Sequence, residues 1–357
     1  MVALPAGILA NLRRLADETG RFRMLAVDQR DSMRRMLAGV LGRAQEKVTY
    51  DDLATTKAII TQVLAPHSTA TLMDPVYGLP YSLPHLPART GILIAAEETG
   101  YQRAGPAERE RTSRLIEGWS AQKAQRAGAN AVKLLIYYRS DASLEVRSHQ
   151  EALVRDLGCE CTQLGLPFLL EVVAYPIGEP STDSPEFALK RPDLVADSAQ
   201  EFSKAEYQVD ILKLEFPGDL KYTQEFCHKV FDDRLREPVY QLTDLQAACR
   251  RVDEASALPW VILSGGVDIQ EFLHNLELAV EAGASGFLCG RAIWKDVLQL
   301  YPDLEEMRAF LASEGRYNFQ RANAGAEKAR PWHDHPRFTG QEKAQLAAQG
   351  PTWYQEF

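Results

Sequence analysis

Val209–Phe216 reads V-D-I-L-K-L-E-F. Val209, Ile211, Leu212, Leu214 and Phe216 make this a strand covered on both faces, the kind found where a parallel sheet lies between other layers. Lys213 interrupts it. A charged amine in an apolar strand loses its hydration, so its presence needs a reason. One reason is structural: Glu215 shares the strand face of Lys213 at period two and offers it a partner. The other is chemical. Burial lowers a lysine pKa, and a neutral amine is what attacks a carbonyl. For a strand lysine taken alone, the structural reading comes first.

Seven further apolar runs surround this one. Arg23–Asp28, Thr69–Asp74, Gly91–Glu97, Ala131–Tyr138 and Pro167–Tyr175 precede it; Trp260–Gly266 and Ala284–Arg291 follow. Between them the apolar spacing predicts helices over Tyr50–Leu64, Ala107–Ala127, Leu144–Leu164 and Asp193–Ala205. Another starts near a Thr243 cap and ends at Ala255, one runs from an Asp268 cap to Ala282, and one occupies much of Trp294–Ala312. The Pro-rich stretch Asp74–Pro87 reads as a loop. Eight strands separated mostly by helices are the pattern of an α/β protein of the (β/α)8 TIM-barrel class. A doubly wound open sheet fits less well, because the G-x-G-x-x-G turn expected after its first strand is missing. The expected organisation is one barrel domain over residues 1–332, opened by an amphipathic N-terminal helix. A C-terminal extension, 333–357, carries Trp353 and Tyr354 and is a candidate barrel cover or oligomer contact.

Of the 357 residues, 45% are hydrophobic and 25% charged, an ordinary globular balance, and the formal net charge is -9. That charge argues against nucleic-acid or anionic-membrane partners while leaving room for a local basic pocket. The N-terminal apolar run is short and its arginines follow it, unlike a secretory signal, and no stretch approaches the ~18 apolar residues of a membrane span. Five scattered cysteines fit reduced thiols in a cytoplasmic protein. The sequence is compatible with a homo-oligomer.

In a barrel, chemistry collects at the C-terminal ends of the strands. Asp28, Lys133, Glu171, Lys213, Ser264 and Arg291 all lie within or just after apolar runs. Lys133, Glu171 and Lys213 come from consecutive runs and belong to one wall. A second cation depresses the pKa of the first, and a glutamate between them can carry a proton. A buried Lys-Glu-Lys network that only closes the barrel is the competing reading. The two lysine segments do not by themselves say which lysine is the nucleophile.

S-G-G-V at Ser264–Val267 and C-G-R-A at Cys289–Ala292 are glycine turns in the two slots where many barrels bind phosphate. Glycine lets backbone N–H groups approach an oxyanion, Ser264 adds a hydroxyl and Arg291 a fork of donors. Metal ligands are poorly placed. His333-Asp334-His335 lies beyond the last barrel element, where packing or solvation is the expected role, and the other histidines avoid the strand ends. Tyr137 and Tyr138 read as wall residues.

These stretches resemble the class I tagatose 1,6-bisphosphate aldolases from Arg23 to about Trp332. The matching segments are L-A-V-D-Q-R (Leu25–Arg30), D-P-V-Y-G-L-P (Asp74–Pro80), E-E-T-G-Y (Glu97–Tyr101) and A-N-A-V-K-L-L-I-Y-Y (Ala129–Tyr138). P-F-L-L-E (Pro167–Glu171), V-D-I-L-K-L-E (Val209–Glu215), L-S-G-G-V (Leu263–Val267) and L-C-G-R-A (Leu288–Ala292) continue the series. Their order and spacing are far more specific than any one motif. The turn after the seventh run, S-G-G-V, departs from the family's usual S-A-G-V by one residue.

The resemblance implies a metal-free barrel enzyme that cleaves a ketohexose bisphosphate into dihydroxyacetone phosphate and glyceraldehyde 3-phosphate. It implies Lys213 as the Schiff-base lysine, Glu171 as general acid/base and Lys133 as the neighbouring cation. Asp28 and Gln29 become hydroxyl contacts, with Arg30 beside them in the substrate-binding set. Ser264, Gly265, Gly290 and Arg291 become the phosphate contacts. Relatives also act on a sulfonated fructose 1-phosphate, so 6-deoxy-6-sulfofructose 1-phosphate is an alternative substrate. A non-catalytic sugar-phosphate regulator and an isomerase using Glu171 are the readings from other classes.

Overall fold

A computed structural model describes residues 4–339 and 351–352. Trp353 and Tyr354, singled out in the extension, lie outside the described residues. All eight apolar runs form strands: β1 (Phe22–Val27), β2 (Ala70–Met73), β3 (Gly91–Ala95), β4 (Ala131–Tyr137), β5 (Phe168–Val173), β6 (Ile211–Leu214), β7 (Trp260–Ile262) and β8 (Gly286–Cys289). They close into a parallel barrel in which each strand pairs with its neighbours in sequence and β8 returns to β1. The continuous apolar runs are explained by this closure, since each strand meets helices outside and packed side chains inside.

Alternation sorts the two faces. Met24 and Ala26 of β1, Leu93 and Ala95 of β3, Ala131 of β4, Leu169 of β5 and Ile211 of β6 pack together inside the barrel. Two residues further along each strand stand Asp28, Glu97, Lys133, Glu171 and Lys213. Period two therefore carries all five polar groups to the interior, at the C-terminal mouth. The other end is closed. Leu9, Leu12 and Leu15 of the helix Ala6–Leu15 pack with Trp332 and Phe338 against the same interior. His335 is buried there and lies 2.9 Å from the Ser285 hydroxyl. Burial pushes its imidazole down to about 3, with Arg330 adding to the shift.

Several expected boundaries moved. Helix over Ala107–Ala127 is replaced by a two-stranded ribbon, Gln102–Ala104 against Glu110–Thr112, and a short helix, Ala121–Arg126, capped by Ser120. Gly105, at φ +66°, makes the ribbon's turn possible: a Cβ there would strike the Glu110 side chain. The helix expected from Asp193 begins eight residues earlier at Pro185, with Ser184 accepting from Phe187 N, and runs through Pro192 to Phe202. Proline at the first helical turn loses no hydrogen bond, which makes Ser184-Pro185 a better start than any later one. Gln241, paired with Asp244 in a capping box, replaces Thr243 as the cap of Leu242–Ala255. Trp294–Ala312 is broken at Tyr301–Pro302, and its regular helix starts at Leu304 behind the Asp303 cap. The loop Asp74–Pro87 holds one helical turn, Leu79–Ser82. Tyr50–Leu64 and the Asp268-capped helix to Ala282 stand as expected. Among the described residues, no helix is long and apolar enough to cross a membrane.

Candidate active site

A cavity of about 330 Å³ opens at the C-terminal mouth, lined by Asp28, Gln29, Arg30, Lys133, Glu171, Lys213 and Arg291 among others. Strand register fixes its floor. Glu171 on β5 stands directly opposite Lys213 on β6, and Lys133 on β4 pairs with Ala95, two residues before Glu97. Lys133 Nζ donates to Asp28 Oδ2 and Glu97 Oε1, both at 2.8 Å, and lies 2.8 Å from Glu171 Oε2. Lys213 Nζ lies 2.9 Å from that same Glu171 oxygen. Lys133 is 1% exposed, Lys213 4% and Glu171 6%.

The partner of Lys213 is thus Glu171, not Glu215. Glu215 Oε2 instead accepts from Ala174 N at 2.7 Å, tying β6 to the end of β5. The arrangement separates two lysines that the local sequence could not. Lys133 is enclosed by three carboxylates; burial alone would pull its ammonium down, but Asp28, Glu171 and Glu97 hold it well above the ordinary lysine value. Burial likewise pushes the Asp28 and Glu171 carboxyls up, and the charges of Lys133 and Lys213 outweigh it, so both sit below their ordinary values. For Glu97 burial prevails over Lys133 and Arg30, and its carboxyl is raised. Lys133 is therefore a fixed cation. Lys213 has one carboxylate contact, Glu171, where Lys133 has three, and both lysines line the cavity.

Glu97 was not singled out from the sequence, yet it is integral to the cluster. Its second oxygen accepts from Leu135 N at 3.0 Å, and its backbone carbonyl accepts from Arg30 Nη2 at 2.5 Å. The signal was present: Glu97 ends the third apolar run, two residues past an interior alanine. Removing Lys133 leaves three buried carboxylates facing one another. Lys133→Met is expected to destabilise the fold by about 3–5 kcal/mol, the usual effect of stranding buried charge. A denaturant midpoint unchanged from wild type would contradict this.

The two glycine turns meet only in part. Gly266, at φ +88°, lies under the Arg291 guanidinium, whose Cζ would be 2.9 Å from an added Cβ. A Cβ on Gly290 would come 2.5 Å from Ala26 O and 3.0 Å from Gln29 Nε2. Gly290, Gln29 and Arg291 thus share the seam between β8 and β1. Gln29 Oε1 is buried there and accepts no hydrogen bond from the described residues. Ser264 and Gly265 sit apart, lining an adjoining cavity of about 50 Å³ with Arg191, Lys221 and Glu271. Tyr137 lines the main cavity, while Tyr138 faces outward and bonds Glu151.

A family model described as "DeoC/LacD family aldolase" matches residues 22–296, the whole barrel from β1 to the helix after β8. The chain belongs to the DeoC/LacD family of aldolases. Within that family, it is 33% identical to "Tagatose 1,6-diphosphate aldolase 2" of Enterococcus faecalis, an alignment covering 93% of this chain and 98% of that protein. It is 34% identical to "Tagatose 1,6-diphosphate aldolase" of Staphylococcus aureus, covering 88% and 94%. Fructose-bisphosphate aldolase from Plasmodium falciparum shares the fold at a TM-score of 0.64 and 15% identity, covering 92% of this chain and 99% of that one. An archaeal fructose 1,6-bisphosphate aldolase superposes at 0.51 and 16% identity, covering 86% and 99%. These two likenesses speak for the barrel. The family membership makes the chain an aldehyde-lyase.

Proposed function

We propose that the chain is a class I aldolase that cleaves tagatose 1,6-bisphosphate, or the fructose isomer, through a Schiff base on Lys213. The observation that carries this reading is the Glu171 oxygen held within 2.9 Å of Lys213 while three carboxylates hold Lys133 as a permanent cation. The E. faecalis and S. aureus relatives named above supply the substrate class.

The neutral Lys213 amine adds to the C2 ketone, and loss of water gives an iminium that withdraws electrons from C3. Glu171, ionised through its two lysine neighbours, takes the proton of the C4 hydroxyl. The C3–C4 pair then flows into the iminium, C4 becomes an aldehyde, and glyceraldehyde 3-phosphate leaves. The enamine takes a proton at C3, and water returns dihydroxyacetone phosphate and the free amine. The iminium serves as the electron sink, so no step calls on a metal. Asp28 and the unpaired Gln29 Oε1 are placed for sugar hydroxyls. In this reading Arg291, with backbone N–H groups of the two glycine turns, takes the C1 phosphate. Ser264 and Gly265 reach that phosphate only if it extends toward the adjoining cavity.

Borohydride treatment in the presence of dihydroxyacetone phosphate should fix one adduct, and peptide mapping should find it on Lys213. No adduct, or an adduct on Lys133, would end the proposal.

A further inference from the structure

The ribbon Gln102–Ala104/Glu110–Thr112 places an arginine that the chemistry above does not use. The Arg111 guanidinium carbon lies 4.1 Å from the ring centre of Tyr101, 5.3 Å from Tyr137 and 5.0 Å from Tyr175. Its backbone N–H donates to Tyr175 Oη at 3.2 Å, which fixes the strand over that ring. Stacking on aromatic faces holds a guanidinium flat while leaving its edge donors free. Among the described residues, no carboxylate or carbonyl takes them, and the Tyr101 and Tyr137 hydroxyls are also without partners. Arg103 is the direct cross-strand neighbour of Arg111, so both side chains leave the same face of the ribbon. Like charges opposite one another destabilise a strand pair. A bound anion relieves that repulsion.

The position suits one particular anion. Tyr101 and Tyr137 line the cavity that holds Lys213 and Glu171. Tyr137 ends β4, and Arg291 follows β8, four strands away in a ring of eight, on the opposite wall. The arginines that line the cavity do not compete for this role. Arg30 is engaged by Glu97 and Glu98, and Arg35 stands on the helix after β1, the strand next to β8. We infer that Arg111, held against Tyr101 and Tyr137 with Arg103 beside it, binds the C6 phosphate of the ketose and makes the enzyme selective for a bisphosphate. This rests on the aldolase reading and deepens it: Arg291 takes one end of the sugar and Arg111 the other.

Steady-state cleavage of tagatose 1,6-bisphosphate and of tagatose 1-phosphate, by wild type, Arg111→Met and Arg111→Lys, tests it. Arg111→Met should lower kcat/KM for the bisphosphate about ten- to hundredfold, chiefly through KM, the usual effect of losing a hydrogen bond to a charged group. The 1-phosphate, lacking the C6 anion, should change less than about twofold, and Arg111→Lys should recover part of the loss. Equal losses on both sugars mean that Arg111 only braces the ribbon, and no loss on either means that it does not meet the substrate; both overturn the inference. Failure of the wild type to cleave either sugar would remove the aldolase reading, and this inference with it.

Discussion

Lys213→Arg is expected to abolish cleavage, lowering kcat by roughly 10⁵- to 10⁶-fold, the scale on which loss of a covalent nucleophile is felt. The guanidinium keeps a positive charge beside Glu171 but cannot form a Schiff base, so the substitution separates nucleophilicity from electrostatics. Lys213→Met removes both and should be equally inactive. It should also be less stable than the arginine variant, because Glu171 then keeps only Lys133 as a counter-charge. The measurement is triose phosphate release under saturating substrate, with intact mass after borohydride as a second readout. Retention of even a few per cent of activity by Lys213→Arg, or an adduct on either variant, would remove Lys213 from the proposed role. Loss of activity accompanied by loss of the folded state would point instead to the structural reading of this lysine. The arginine variant is the one that tells these outcomes apart.

Glu171→Gln should cost about 10²- to 10⁴-fold in kcat, the range for a removed general base. The amide is close in shape and leaves Lys133 with two carboxylates, Asp28 and Glu97, so the barrel mouth should survive. Because Glu171 is proposed to act in carbon–carbon cleavage, trapping of dihydroxyacetone phosphate on Lys213 should persist in the variant while turnover of the hexose fails. Loss of trapping along with turnover would move Glu171 to an earlier step. The variant should also change the response to acid. Asp28 and Glu171 both sit below their ordinary values of 3.8 and 4.5. Their stabilisation is full above those values and disappears as the pH falls through the lower, folded-state ones. Glu97, raised by burial, works the other way, and its contribution fades as the pH rises through its folded value. Glu171→Gln should therefore flatten the acid limb of an unfolding profile followed by circular dichroism.

The barrel was legible because each of its strands is covered on both sides and writes a continuous apolar run. Once the runs are strands, alternation alone brings Asp28, Lys133, Glu171 and Lys213 into one interior. What could not be read is set by distance in the chain. A-V-K-L-L and D-I-L-K-L look alike, and Lys133 differs from Lys213 through Asp28 and Glu97, supplied by the segments after β1 and β3, since Glu171 of β5 meets both lysines. The ribbon was missed for a related reason. Its charged, glycine-interrupted sequence has no strong period, and the placement of Arg111 comes from contacts with Tyr137, at the end of β4, and Tyr175, just after β5. Ser264 was placed beside Arg291 by the count of strands, yet the backbone turns it into the neighbouring cavity.

The charges at the barrel mouth have a parity that bears on the reaction cycle. Among the described residues, five cations (Arg30, Arg35, Lys133, Lys213 and Arg291) and five carboxylates (Asp28, Asp31, Glu97, Glu98 and Glu171) line the cavity. A lysine that attacks a ketone must first give up its proton, and the mouth then holds one negative charge too many. Dehydration to the iminium restores a positive charge at the same nitrogen, which keeps one N–H. The surroundings are thus electrically matched to the covalent intermediate rather than to the free amine. Their field lowers the energy of the species formed during catalysis more than that of the state preceding it.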